Sequence, residues 1–158
     1  MKFPHYLWVK ALPALALALI LLSPSRVLAG DSVIVFNEVH YHPVDEENDT
    51  EWIELHSLMG VDVDMSNWEL RGGIAYSFPE GTVVPGNGYL LVAADPAHPE
   101  LRGQGALGPF TGSLANNGET IRLVNNSERT MDELNYGDEG DWPVGADGLG
   151  STLSKRVE

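Results

Sequence analysis

The sequence predicts an all-β chain folded as an antiparallel sandwich or barrel, and three observations carry that prediction. From Ser32 onward the apolar runs are short, and none sustains a 3.6-residue period over about ten residues. Several runs alternate with a period of two instead, as in ETIRLVN from Glu119 and MDELNYG from Met131. Turn formers recur between them: Pro43, Ser66-Asn67, Gly72-Gly73, Pro79, Pro85-Gly86, Asn117-Gly118, Asn126-Ser127 and a glycine-rich stretch from Gly145 to Gly150.

Taken in order, the expected strands are Val33–Tyr41, Glu51–Ser57, Val61–Asp64, Trp68–Gly72, Ile74–Phe78, Gly88–Ala93, Glu119–Asn125, Met131–Tyr136 and Thr152–Val157. In the sixth, Leu90 and Val92 face one way while Tyr89, Leu91 and Ala93 face the other, so both sides are expected to be covered. Ile121 with Leu123, and Leu134 with Tyr136, mark the inner faces of their strands. Trp52, Ile53, Leu55, Trp68, Leu70 and Phe78 complete the expected core. At about 1.5–3 kcal/mol for each large side chain removed from water, such a set can stabilise a domain without disulfides. The segment Asp95–Gly112 (DPAHPELRGQGALGPFTG), rich in proline and glycine, is expected to cross between sheets as a long loop with at most one helical turn.

The first 29 residues read as a secretory signal. Lys2 and Lys10 lead an apolar run, ALPALALALILL, and Val27-Leu28-Ala29 offers small residues at −3 and −1. Pro13, Pro24 and Arg26 leave the run short of the roughly 20 apolar residues that span a bilayer, so no membrane insertion is expected after cleavage. The expected products are a signal peptide, 1–29, and a mature domain, 30–158, that is secreted, periplasmic or at the cell surface. Loss of Lys2, Lys10 and Arg26 takes the formal charge from −14 to −17. Such a domain repels phosphate backbones at long range, which argues against nucleic acid as a partner. With no cysteine in the chain, stability must come from the core rather than from disulfides.

Several segments together resemble the lamin-tail domain in the form found in bacterial exported proteins: DMSNWEL (Asp64–Leu70), YSFPEGTVVPGNGYLLVA (Tyr76–Ala93) and SLANNGETIRLV (Ser113–Val124). The opening FNEVHYHP and EWIEL, and the later MDELNYGDEGDWP and ADGLGSTLSKR, are similar to the same family, so the resemblance runs from Val33 to Val157. It implies an immunoglobulin-like antiparallel β-sandwich over residues 30–158 and implies no catalytic site. It further implies an accessory module, or a fragment, of a larger exported protein. The coiled coil that precedes this domain in nuclear lamins is not seen here, so nuclear roles do not carry over.

One stretch, Asn37–Ser57, concentrates three histidines and seven carboxylates. His40 and His42, two apart on a strand, are expected on one face, with Glu51 across the hairpin from His42; two imidazoles and a carboxylate are competent zinc ligands. Against that reading, a single H-x-H pair is weak, and a solvated outer face explains the same residues. Calcium is the other candidate ion. Asp45, Glu46, Glu47 and Asp49 crowd one loop, and Asp138, Glu139, Asp141 and Asp147 another, offering the hard oxygen ligands that calcium takes. Neither run has a recognised calcium-loop spacing. Asn37, Glu38 and Glu54 are polar groups among apolar neighbours and call for a structural hydrogen-bond network or a cation such as Arg71 or Arg122.

There is no G-x-S-x-G elbow, H-E-x-x-H, Walker loop or cysteine nucleophile. Two functional hypotheses remain. The first is a non-enzymatic exported module that binds a protein or cell-surface partner through a sheet face, an edge or the Asp95–Gly112 loop. The second is a metal-dependent hydrolase, or its metal-bearing accessory domain, built on His40, His42 and Glu51.

Overall fold

The computed structural model describes residues 32–44, 50–140 and 142–155. The expected signal peptide, the acidic run Asp45–Asp49 and Asp141 lie outside the described residues. Among the described residues there are eleven strands: β1 (Ile34–His40), β2 (Trp52–Ser57), β3 (Val63–Asp64), β4 (Glu69–Arg71), β5 (Ile74–Ser77), β6 (Val83–Val84), β7 (Tyr89–Ala93), β8 (Thr111–Gly112), β9 (Glu119–Val124), β10 (Thr130–Tyr136) and β11 (Leu153–Ser154). The strand pairings are antiparallel throughout.

The period-two pattern explains the layers. In β2, Ile53, Leu55 and Ser57 are buried, while Trp52, Glu54 and His56 are half-buried on the other side. The inner residues of the sheet β11-β1-β2-β7 face those of the sheet β10-β9-β4-β5-β8. Ile34, Phe36, Val39, Ile53, Leu55 and Val92 thus share one core with Leu70, Ile74, Ile121, Leu123, Leu134 and Tyr136. A separate two-stranded ribbon, β3-β6, adds Val84 to that core. Trp68 and Phe78, both expected inside, are buried there.

Trp52 differs from expectation. It belongs to a second apolar cluster, with Leu91, Ala93 and Leu101, on the outer side of the first sheet. The Asp95–Gly112 segment makes that cluster: a single 3-10 turn, Pro99–Leu101, sets Leu101 over β7. The chain then runs along the edge of β7. Leu107 donates to the Leu91 carbonyl at 2.8 Å and accepts from Ala93 at 2.9 Å, closing an edge that would otherwise expose unpaired backbone groups. It finally crosses to the second sheet as β8 beside β5, as its composition suggests.

Two strands escaped the sequence reading. β6 and β8 are two residues each, too short to show a period, and both sit among prolines and glycines. β11 is shorter than the expected Thr152–Val157, and residues 156–158 lie outside the described residues.

Register breaks at two places that face one another. β1 bulges between Phe36 and Glu38, and β10 between Thr130 and Asp132. A bulge leaves ladder groups unpaired. Here Asp132 takes the Phe36 N–H at 2.8 Å.

Candidate functional site

The zinc candidates do not converge. His40 opposes Trp52 in the β1–β2 ladder, so the two share the outer face, and their rings lie 5.7 Å apart. Glu51 precedes Trp52 and therefore points the other way, into the seam between the sheets, where it is fully buried. His40 Nδ1 bonds the Thr50 carbonyl at 3.1 Å, whereas His42 Nδ1 bonds Asp147 Oδ1 at 2.6 Å. Among the described residues no group of three histidine, aspartate or glutamate side chains is placed to hold a metal ion. The hairpin parity assumed for Glu51 is off by one residue: His40 pairs with Trp52, so Glu51, the residue before Trp52, takes the opposite face and enters the seam.

Of the acidic set Asp138, Glu139, Asp141 and Asp147, Asp147 is committed to His42, and the Gly148 N–H reinforces the contact by donating to the His42 carbonyl at 3.2 Å. Asp138 and Asp147 both bear on Tyr41, whose hydroxyl is pushed above its ordinary value by burial first and then by these two charges. Glu139 is exposed.

The polar network on the first sheet is satisfied without an arginine. Asn37 donates to Glu54 at 2.7 Å, and Glu38 accepts from Thr152 at 3.2 Å and Ser154 at 3.0 Å. Arg71 and Arg122 lie on the other sheet, where Arg71 pairs with Glu69 and Glu128, and Arg122 with Glu133.

Sequence reasoning missed the cluster around Glu51. Its Oε2 accepts the Leu114 N–H at 2.9 Å, and Oε1 is buried with no hydrogen-bond partner among the described residues. Beside it, Glu119 accepts from Gly73 at 2.6 Å and from Ala115 at 2.9 Å, and lies 3.1 Å from the Tyr136 hydroxyl. The Tyr136 ring packs 4.7 Å from that of Tyr41. Burial is the main force on the Glu51 carboxyl, which is pushed up to about 7; the Leu114 N–H opposes the rise and the Glu119 charge adds to it. Tyr136 is also pushed up, by burial and then by Glu119. The signal that could have found this cluster is a carboxylate immediately before an alternating strand, but its inward direction needs the register.

Exposed apolar side chains gather on the segments after β2 and before β7. The segment after β2 is tied to the turn before β7: Asn87 donates to the Met59 carbonyl at 2.7 Å, Gly86 to Asp62 at 3.1 Å, and Ser57 to the Gly88 carbonyl at 2.9 Å. Leu58, Met59, Val61, Val83 and Tyr89, carried on or next to these segments, are 39% to 64% exposed. Tyr89 is steadied by stacking on His56, with ring centroids 4.4 Å apart.

Two facing antiparallel sheets around one core define an immunoglobulin-like β-sandwich. Within that class, a family model described as Lamin Tail Domain matches residues 29–138, more than half of the chain, and the chain belongs to that family. No curated protein matches it. The lamin-tail immunoglobulin-like fold is generally a non-catalytic domain.

Proposed function

We propose that this chain is an exported, non-enzymatic lamin-tail module that binds a protein partner at the cell surface. The observation that carries the reading is the exposed apolar surface of Leu58, Met59, Val61, Val83 and Tyr89. Large side chains gathered on tethered loops at one end of a rigid sandwich are the usual setting for recognition. Asp62, Asp64 and Glu80 lie exposed in the same segments, and the whole chain is acidic. The partner it fits is therefore a protein with an apolar contact rimmed by lysine and arginine.

The module is expected to act outside the cytoplasm, as the N-terminal charge and apolar layout imply. The zinc-hydrolase alternative gains nothing from the geometry, since His40 and Glu51 occupy opposite faces of β2 and its neighbour.

The test is association of labelled mature protein with the surface of the producing cells, for the native chain and for the double variant Met59→Asp, Val61→Asp. The native chain should bind, more weakly as salt rises, and the variant should lose binding while keeping its melting transition. Equal association of both, or none by the native chain, would sink the proposal. Metal analysis of native and His40→Ala protein addresses the alternative: stoichiometric zinc lost in the variant would revive it.

A further inference from the structure

The seam between the sheets is closed at one point by a carboxyl that has no counter-charge among the described residues. Glu51 is fully buried at the start of β2, and its Oε2 accepts a hydrogen bond from the Leu114 N–H, in the loop that leads into β9. We propose that Glu51 is a proton-operated latch, holding the 113–118 loop against the first sheet while its carboxyl is protonated and loosening it when the proton is lost.

The argument rests first on which groups face it. From β9 comes Glu119 and from β10 Tyr136, whose ring packs 4.7 Å from that of Tyr41; Asp138 and Asp147 bear on Tyr41 in turn. Every charged group in that set is acidic. The arginine and lysine ion pairs among the described residues, on Arg71, Arg122 and Lys155, involve other carboxylates. The available donors also go elsewhere, because Gly73 and Ala115 bond Glu119 and leave Glu51 with the Leu114 N–H alone. A neutral acid is tolerated in such a place. A carboxylate with an unpartnered buried oxygen beside a second carboxylate is not, and it must draw in water or move.

Apart from the burial of Leu114, the polar contacts that hold the loop come from the second sheet. Glu119 anchors Ala115 from its own sheet, and Tyr136, whose hydroxyl lies 3.0 Å from the Ala115 carbonyl, does the same. Glu51 supplies the hydrogen bond that spans the two sheets at Leu114, a residue buried in the shared core. Opening the latch therefore exposes apolar surface at the seam.

The direction in pH follows from the shift of this group to about 7. A carboxyl that binds its proton more tightly folded than unfolded gives a stability contribution that is greatest below the unfolded value, about 4.5. That contribution falls through the window from about 4.5 to about 7 and is level above it.

The experiment is backbone hydrogen exchange at Leu114 and Ala115, as protection factors from pH 5 to pH 8, for the native protein and Glu51→Gln. Native protection should fall about tenfold per pH unit as the pH rises from 5 to about 7 and level off above it, the signature of one proton released on opening. In Glu51→Gln the dependence should vanish. Native protection independent of pH, or the same dependence in the variant, overturns the proposal. If Glu51→Gln does not fold, carboxyl-carbon NMR titration of Glu51 in the native protein decides instead: a midpoint near 7 supports the latch, and one at the ordinary glutamate value overturns it.

Discussion

Asp132 and Lys155 meet at 2.7 and 2.8 Å, with both carboxylate oxygens on one ammonium, and the same Asp132 accepts the Phe36 backbone N–H at 2.8 Å. One side chain thus joins β10, the residue after β11 and the bulged part of β1. Lys155 adds a bond from its ammonium to the Glu133 carbonyl at 2.8 Å, and the aspartate is the more buried partner of the pair.

That asymmetry gives the first prediction. Asp132→Ala leaves a backbone donor and an ammonium without their acceptor and should cost about 2–4 kcal/mol, the range for a half-buried charged hydrogen-bond partner. Lys155→Met keeps the Phe36 bond and should cost about 1 kcal/mol or less, as partly exposed pairs do. Denaturant midpoints measured side by side check the order; a larger loss for Lys155→Met contradicts it.

Trp68 supplies the second. It is buried in the main core, its N–H donates to the Met65 carbonyl at 3.0 Å, and its carbonyl takes the Phe78 N–H at 2.9 Å. Trp68→Ala should therefore destabilise by about 3–5 kcal/mol, the usual result of truncating a buried aromatic. Urea melts of the two proteins measure it directly.

Gly86 links stability to the proposed surface. A Cβ there would lie 2.6 Å from the Gly60 carbonyl carbon and 2.7 Å from the Val61 nitrogen, both backbone atoms that cannot rotate away. Gly86→Ala should displace the loop bearing Met59 and Val61, cost about 1–3 kcal/mol as overpacking does, and reduce cell association. An unchanged melt together with unchanged association would show that the loop is not held there.

These residues also show how much was legible in the sequence. Alternation placed Ile53, Leu55, Ile121, Leu123 and Leu134 inside, because period two is a local property of an extended chain. It could not place Trp52, whose burial depends on Leu101, 49 positions away and delivered by a loop. Nor could it orient Glu51. The residues between β1 and β2 follow no period, and a shift of one position exchanges the outer face for the seam. The zinc expectation and the latch are thus two readings of one glutamate, separated only by register. Short-range turn chemistry fared better: Asn67 and Asn87 have φ of 61° and 57°, the left-handed geometry that asparagine tolerates.

Export is tested at the N-terminus. If Val27-Leu28-Ala29 is the cleavage site, sequencing of material recovered outside the cytoplasm should begin GDSVIV. Recovery of a membrane-bound form that retains Met1 would refute it.

The acidic loop after β10 yields the last prediction. Calcium bound only to the folded state would raise stability by RT ln(1 + [Ca²⁺]/Kd), about 2.7 kcal/mol at a hundred times Kd. Simple screening of a chain with so large a negative charge would instead respond to any salt. For Asp147 to serve calcium alongside Asp138, Glu139 and Asp141, it would have to share or release the 2.6 Å contact with His42 that ties this loop to the end of β1. The loop also carries Gly137, Gly140, Gly145, Gly148 and Gly150, so ordering it around an ion costs backbone entropy. The expected outcome is that calcium chloride and sodium chloride at equal ionic strength shift the melting temperature alike, and that Asp141→Asn changes neither response. A rise specific to calcium that disappears in Asp141→Asn would establish an ion site at this loop.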